Sequence, residues 1–302
     1  GVVAASIIIL LGVIPLIVPQ DVKNVSSEAE IQIRPGHRNA ILELADGKVY
    51  NLTNLEYGGN NRISENIIVD SCCLDYLRPD TLIPVALAWH KVIVPRGGEF
   101  QISLEDGTRV WLNSESTLKY PEVFTGTTRE VFLEGEAYFE VAKDKDKPFI
   151  VKTKEQSIEA LGTKFNVSAY PTDSLLTTTL LEGSVLLTTQ NLLHPTVLKP
   201  NEQFVYNKRT RSALLQQVDA NRFVSWTTGY YYFPEQSLEA ILYRLSHVYG
   251  VQFTVKSEAL NRRTFTGTFY RGQSIKDIME IIHLSIPIRY KIDDHHVTIS
   301  EI

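Results

Sequence analysis

The first residues to test for chemistry are the seven histidines: His37, His90, His194, His247, His283, His295 and His296. They are scattered, and no HExxH, GxSxG or phosphate-cradling glycine loop accompanies them. His295 and His296 are adjacent, but neighbours on a strand point to opposite faces, so this pair cannot chelate one ion without a bulge. Glu134, Glu136 and Glu140 share strand parity and could line a carbohydrate-active groove. Their alternation with Ala137, Phe139 and Val141 makes a charged outer face the simpler reading. The run from Lys143 through Asp144, Lys145 and Asp146 to Lys147 reads as a solvated turn. The expectation is a protein that binds and does not catalyse, with no metal and no cofactor.

These side chains hang on a chain of 302 residues, long enough for two domains and a sizeable core. Acidic and basic residues are mixed along it to a net charge of −5, which leaves no basic stripe for phosphates, so nucleic acid is not an expected direct partner. Residues 2–18 (VVAASIIILLGVIPLIV) are apolar apart from Ser6, and a bilayer core needs roughly 17–25 such residues. Residues 1–20 are therefore expected to be a transmembrane anchor, and 21–30 a polar linker. Only Lys23 and Arg34 stand against Asp21, Glu28 and Glu30 after the anchor, which suits the non-cytoplasmic side. The chain starts at Gly1 without Met, so a cytoplasmic segment ahead of the anchor is expected. Cys72 and Cys73 are adjacent, and two cysteines make no disulfide framework. They read as buried or unpaired thiols, with a vicinal redox bridge as the alternative.

From residue 31 to about 220 the pattern has period two. Phe100, Ile102 and Leu104 alternate, as do Ala137, Phe139 and Val141, and Phe165, Val167 and Ala169; such closely spaced strands predict an all-β unit. An ungapped shift of the chain against itself superposes Leu42 on Ile102, Asp46-Gly47 on Asp106-Gly107, and Leu52 on Leu112. Each copy reads as a strand, a tight turn and a returning strand. After Trp226 the period becomes 3.6. Leu238, Ile241, Leu242, Leu245 and Val248 form one helix face, and Gly250 is its expected left-handed cap. A second helix starts at Ser274, capped with Asp277, and buries Ile275, Ile278, Met279 and Ile282. Residues 229–302 thus read as a compact β-α-β-β-α-β-β domain.

Several dense phrases then stand out in order: VPRGGEF at 94–100, LEDGTRVWLN at 104–113, GEAYFEV at 135–141, KPF at 147–149, LGTKFNV at 161–167 and LEGSV at 181–185. Together they resemble the FecR family of anti-sigma regulators, in the form with a C-terminal domain similar to the short secretin and TonB signalling module. The resemblance implies a β-solenoid-like body, a single-pass inner-membrane protein, and residues after the anchor in the periplasm. It also implies a signal received from the signalling domain of a TonB-dependent outer-membrane receptor. An extracytoplasmic-function sigma factor would be held by an N-terminal cytoplasmic domain outside this sequence, and regulated-proteolysis proteases would act on the chain. Some members of the family cut themselves at a Gly-Thr bond, and Gly162-Thr163 falls in the matching phrase. There the Thr163 hydroxyl would attack the Gly162 carbonyl, and water would open the resulting ester. The simpler reading is that Gly162 only turns the chain. A carbohydrate-binding or carbohydrate-active β-solenoid surface protein is the alternative class.

For the partner surface, residues 264–269 (TFTGTF) alternate Thr264, Thr266 and Thr268 with Phe265, Gly267 and Phe269. One face is polar and the other packs inward, so a free strand edge there could pair with another chain, with Arg262, Arg263 and Arg271 suiting an acidic partner; an ordinary solvated arginine rim and an inward-facing central strand are the alternatives.

Overall fold

The protein is described here by a computed structural model, which covers residues 38–53, 61–69, 73–77, 88–190, 192 and 194–302. The anchor and linker expected at 1–30, and Cys72, lie outside the described residues. Among those described, no helix is long and apolar enough to cross a membrane.

Among the described residues the body is an 18-stranded sheet folded into two leaves. The first leaf runs in the order Val49–Asn51, Ile41–Glu43, Trp89–Val94, Ser116–Pro121, the first half of Arg129–Glu140, Phe149–Lys152, Gln156–Ala160, Val185–Thr189 and Thr196–Leu198. The second runs Asn61–Ser64, Ile67–Val69, Cys73–Tyr76, Phe100–Ser103, Arg109–Leu112, the second half of Arg129–Glu140, Lys164–Ala169, Leu175–Glu182, Glu202–Asn207 and Ser212–Gln217. Arg129–Glu140 belongs to both. It passes from one leaf to the other at Gly135, whose φ of +96° and close approach to Ser116 leave no room for a side chain: a Cβ would sit 2.4 Å from Ser116 Oγ. Phe139 stacks on Phe165 within the second leaf and meets Phe149 of the first at 6.2 Å, so the leaves share one apolar core.

This arrangement corrects the solenoid expectation. A solenoid stacks successive coils of a repeat, whereas among the described residues the strand pairings of this body are antiparallel except Cys73–Tyr76 with Phe100–Ser103 and Arg129–Glu140 with Phe149–Lys152. Short hairpins place chain neighbours side by side. The internal repeat is real in geometry. Gly47 and Gly107 have φ of +85° and +83°, and their N–H groups donate to Leu44 O and Leu104 O at 3.0 and 2.9 Å. The Asp46 and Asp106 carboxylates each accept from the backbone N–H two residues on, at 3.0 Å.

Beyond residue 220 a second apolar core forms around Leu238–Tyr249 and Ile275–Ser285. Every residue expected on the two helix faces is buried. Gly250 caps the first helix at φ +65°, and Ser274 and Asp277 form a reciprocal capping box on the second. The element order is the expected one, with an added single turn of helix at Glu258–Asn261. Tyr230–Ser237 pairs with Thr264–Tyr270, while Gln252–Val255, His296–Glu301 and Ile288–Asp293 form a separate small sheet.

Candidate functional site

The outer face of the second leaf is where body and C-terminal elements meet. Cross-strand register sets Trp111, Tyr138, Asn166, Thr179, Gln203 and Gln216 in one row across five strand pairings. Tyr138, Asn166, Thr179 and Gln203 are buried, and Tyr138 and Trp111 pack into the C-terminal apolar core. The expectation of a solvated acidic face therefore holds for Glu134 only in part of the strand. Glu136, past the bend at Gly135, is buried. Its carboxylate accepts from Asn113 Nδ2 at 2.8 Å and Asn166 Nδ2 at 3.0 Å, which satisfies a charge that burial alone would penalise. The fully buried Trp226 donates from Nε1 to Asn166 Oδ1 at 3.3 Å. Glu140, half-buried, pairs with Arg109.

The last turn of Leu238–Tyr249 docks on the phrase 94–100 and on Ser114 and Glu115, just after the phrase 104–113. A helix end leaves carbonyls without intrahelical donors. Here the His247 carbonyl accepts from Ser114 Oγ at 2.7 Å and Gly97 N–H at 3.1 Å, so the body completes the helix. The His247 ring stacks on Tyr170 at 4.9 Å between centroids, and its Nδ1 pairs with Glu115. Arg96 holds the same carboxylate at 2.8 Å. Glu115 is placed by a left-handed backbone, φ +56°, unusual for a residue with a side chain. Gly98 is needed beside it, because a Cβ would lie 2.9 Å from Asn39 O. Tyr243 adds a hydrogen bond to Asp173.

Thr264, Thr266 and Thr268 are exposed and Phe265 and Phe269 are buried, as the alternation requires. Their strand pairs with Tyr230–Ser237 on one side, and no second neighbour is present among the described residues. Gly267 makes room for the Phe265 ring, which lies over it to stack on Phe269 at 5.5 Å. Arg271 is not on this exposed row. It is buried, pairs with Glu99 of the body and donates to Tyr231 Oη. Burial lowers its pKa to about 10, so it stays charged at neutral pH.

Gly162 has φ +137°, and a Cβ there would meet Lys143 Cγ at 2.5 Å. Thr163 is buried, and its hydroxyl has no hydrogen-bond partner among the described residues. A small cavity of about 200 Å³ opens beside both, edged by Arg109, Glu140, Lys143, Lys164 and Glu182. His295 lies in the turn before His296–Glu301, next to Asp294, not on the strand itself. Among the described residues no group of three or more His, Cys, Asp or Glu is placed to hold a metal. Cys73 donates to Asp75 Oδ2 at 3.2 Å.

Sequence reasoning named Glu136, His247 and Trp226 in other roles and did not bring them together with Glu99 and Glu115 at one junction. The signal for it was present: Trp111 and Tyr138 are apolar at the parity of Glu136, which a wholly solvated face does not favour.

Comparison with known proteins follows the same division. The family model described as FecR protein matches residues 90–186, and that described as FecR, C-terminal matches residues 230–299. Two crystal structures of a candidate anti-sigma factor from Parabacteroides distasonis ATCC 8503, at 1.65 and 2.50 Å resolution, are similar to this chain. Both are 29% identical with a TM-score of 0.64, covering 70% and 71% of this chain and 99% of theirs. No curated protein matches the sequence significantly.

Proposed function

The chain belongs to the FecR family, and from that premise we propose that it is a single-pass inner-membrane anti-sigma regulator whose body and C-terminal domain lie in the periplasm. In this reading residues 1–20 anchor the chain, 31–220 form the body and 229–302 the signal-receiving domain. The signal comes from the signalling domain of a TonB-dependent outer-membrane receptor. An extracytoplasmic-function sigma factor is held on the cytoplasmic side, and regulated proteolysis releases it.

The observation that carries this reading is the convergence of the family-bearing phrases on the junction. VPRGGEF and the Asn113-Ser114-Glu115 turn do not surround a reactive centre; they hold the last turn of a helix through ion pairs and hydrogen bonds. The junction thus combines these polar contacts with the packing of Trp111 and Tyr138 on the C-terminal core, which suits a relay between two folded parts. The receptor would add a strand to the free edge of Thr264–Tyr270, along the exposed threonine row. Thr266→Pro removes a backbone donor on that strand. Calorimetric titration of the full chain with the receptor's signalling domain should show much weaker binding with the melting temperature of the body unchanged. Unchanged binding by a folded variant moves the interface to the exposed faces of the helices capped by Ser237 and Ser274.

A specific observation favours self-cleavage as a second property. Gly162 holds a backbone conformation that strains other residues, and the neighbouring Thr163 hydroxyl is buried with no hydrogen-bond partner among the described residues. A hydroxyl that is not tied elsewhere can turn to the Gly162 carbonyl. Prolonged incubation should give fragments that meet at residue 163 on a denaturing gel, absent from Thr163→Ala. A parent chain that stays intact as long as the variant would leave Gly162 as a turn residue alone.

A further inference from the structure

The cross-strand row on the second leaf ends at the exposed Gln216, and near it opens a cleft that neither the junction nor the threonine edge uses. It holds about 570 Å³ and is walled by Gln217, Asp219, Arg222, Tyr232, Pro234 and Arg244, among others. Arg222 lies 4.9 Å from the Tyr232 ring centroid and is neutralised by Asp219 at 3.1 Å. Arg244 is different. Its guanidinium stands 5.5 Å from the Tyr231 ring and 6.0 Å from Phe233, is half-buried, and has no carboxylate partner among the described residues. The buried Arg129 and Arg271 each have one, Asp106 and Glu99. A guanidinium fixed over aromatic faces in a concave site is set to receive a carboxylate in a planar, charge-assisted contact.

Two strand edges border the same cleft. Ser212–Gln217 pairs only with Glu202–Asn207, and Tyr230–Ser237 only with Thr264–Tyr270, among the described residues. Pro234 and the register shift between Phe233 and Gln236 blunt the second edge. The first has no such guard. All its residues are exposed, including Leu214 at 58% and Leu215 at 45%, and its unpaired backbone groups are a template for an added strand.

We propose that this cleft binds an extended polypeptide segment of a partner protein, which adds as a strand to the free edge of Ser212–Gln217 and sets an Asp or Glu carboxylate on Arg244. The volume suits a few side chains and not a folded domain. Of this strand Gln217 lines the cleft, so a segment paired along the edge would pass the exposed leucines before its acidic side chain reached Arg244. The site is separate from the Thr264–Tyr270 edge, so it stands or falls independently of the receptor reading.

The test is to pan a displayed library of short random peptides against the full chain in detergent. Enriched sequences should carry Asp or Glu within an apolar alternation. A selected peptide should bind Arg244→Gln about tenfold more weakly, the equivalent of about 1.4 kcal/mol and within the range of one charge-assisted hydrogen bond. Arg244→Lys should retain part of the affinity, and Arg263→Gln, an exposed arginine outside the cleft, all of it. Backbone N-methylation of the peptide should weaken binding, because strand addition needs its N–H groups. The proposal is overturned by no enrichment, by enrichment without acidic residues, or by equal binding to parent and Arg244→Gln. Competition by free succinate as effective as that by the peptide overturns strand addition and makes the cleft a small-anion site. If Arg244→Gln fails to fold, N-methylation and Arg244→Lys decide the matter.

Discussion

The hairpins turning at Asp46-Gly47 and Asp106-Gly107 are the same local object used in two different ways. Their turn hydrogen bonds, 3.0 and 2.9 Å long, and their glycine φ values, +85° and +83°, are nearly superposable. Asp46 faces solvent and pairs with exposed Lys48. Asp106 faces inward. Its carboxylate takes Arg129 Nη1 at 2.6 Å and the Thr108 hydroxyl at 2.7 Å. Arg129 in turn donates to the carbonyls of Lys147 and Ala142 at 2.8 and 3.0 Å. The second hairpin therefore ties the strand shared by both leaves to the loop after it, and its return strand carries Trp111 to the C-terminal core. Local sequence determines the turn; what the turn holds is determined by where the leaf places it.

The widest separation between the copies should come from the aspartates. Asp106→Ala leaves the buried Arg129 cation without its carboxylate, a change that typically costs ~3–5 kcal/mol. Asp46→Ala should shift the denaturant midpoint only slightly, since it removes a solvent-exposed ion pair and one exposed turn hydrogen bond. Equal midpoints for the two variants in urea titrations would mean that the buried pair is not what distinguishes the hairpins.

The return strands give the next contrast. Trp111 packs on Tyr138 at 5.3 Å between ring centroids and belongs to the C-terminal apolar core, whereas Tyr50 packs on the body core. Trp111→Ala should cost about 2–3 kcal/mol, below the value for a fully buried Trp because the residue keeps some solvent exposure. The loss should fall on docking: faster proteolysis in residues 218–229, with slow hydrogen exchange retained in the first leaf. Tyr50→Ala should leave that proteolysis unchanged.

How much of this was legible follows from how far apart the partners lie. The twin turns, the Ser274–Asp277 capping box, Gly250 and the apolar helix faces rest on residues within one turn or one strand of each other, and all were readable. The leaf order was not, because alternation says which face is apolar and is silent on which strand lies beside which. Glu136 shows the same limit at the site. Its strand parity is plain, yet whether that face meets water or another domain depends on Trp226 and His247, far along the chain. Arg271 was misplaced for the same reason: a cation beside an exposed strand looks solvated until Glu99 is found opposite it.

The hairpins also differ in what pH does to their surroundings. His90, on the strand next to the first hairpin, is held neutral by burial, which lowers its pKa although Glu122 nearby favours the charged form. Tyr76 Oη lies 2.7 Å from its Nδ1. A depressed folded value means that the unfolded chain binds the proton first, so stability rises with pH across the window. The contribution is complete above 6.5, the ordinary histidine value, and is lost as pH falls from there toward the lowered one. His90→Gln should flatten that part of the stability profile, measured by urea midpoints at successive pH values. An unaltered profile would assign the dependence to another group.

The smallest expected effect is a difference near zero, and it bears most directly on the comparison. Gly47→Ala and Gly107→Ala both force a side chain into the left-handed region, at a cost of roughly 1–2 kcal/mol for a residue with a Cβ. Space does not separate them. A Cβ at Gly47 meets nothing within 4 Å, and one at Gly107 meets only the Ala142 methyl at 4.0 Å, an ordinary contact. If the turns are locally determined, the two alanine variants should lose the same stability within a few tenths of a kcal/mol, the usual scatter between independent sites. The Arg129 network attaches through the Asp106 carboxylate and leaves the glycine untouched, so it gives no reason for a larger loss at Gly107. A gap of more than about 1 kcal/mol in urea midpoints, at the scale of one net hydrogen bond, would show that the tertiary network reaches into the turn backbone, and the hairpins would then differ in the turn itself as well as in what it holds.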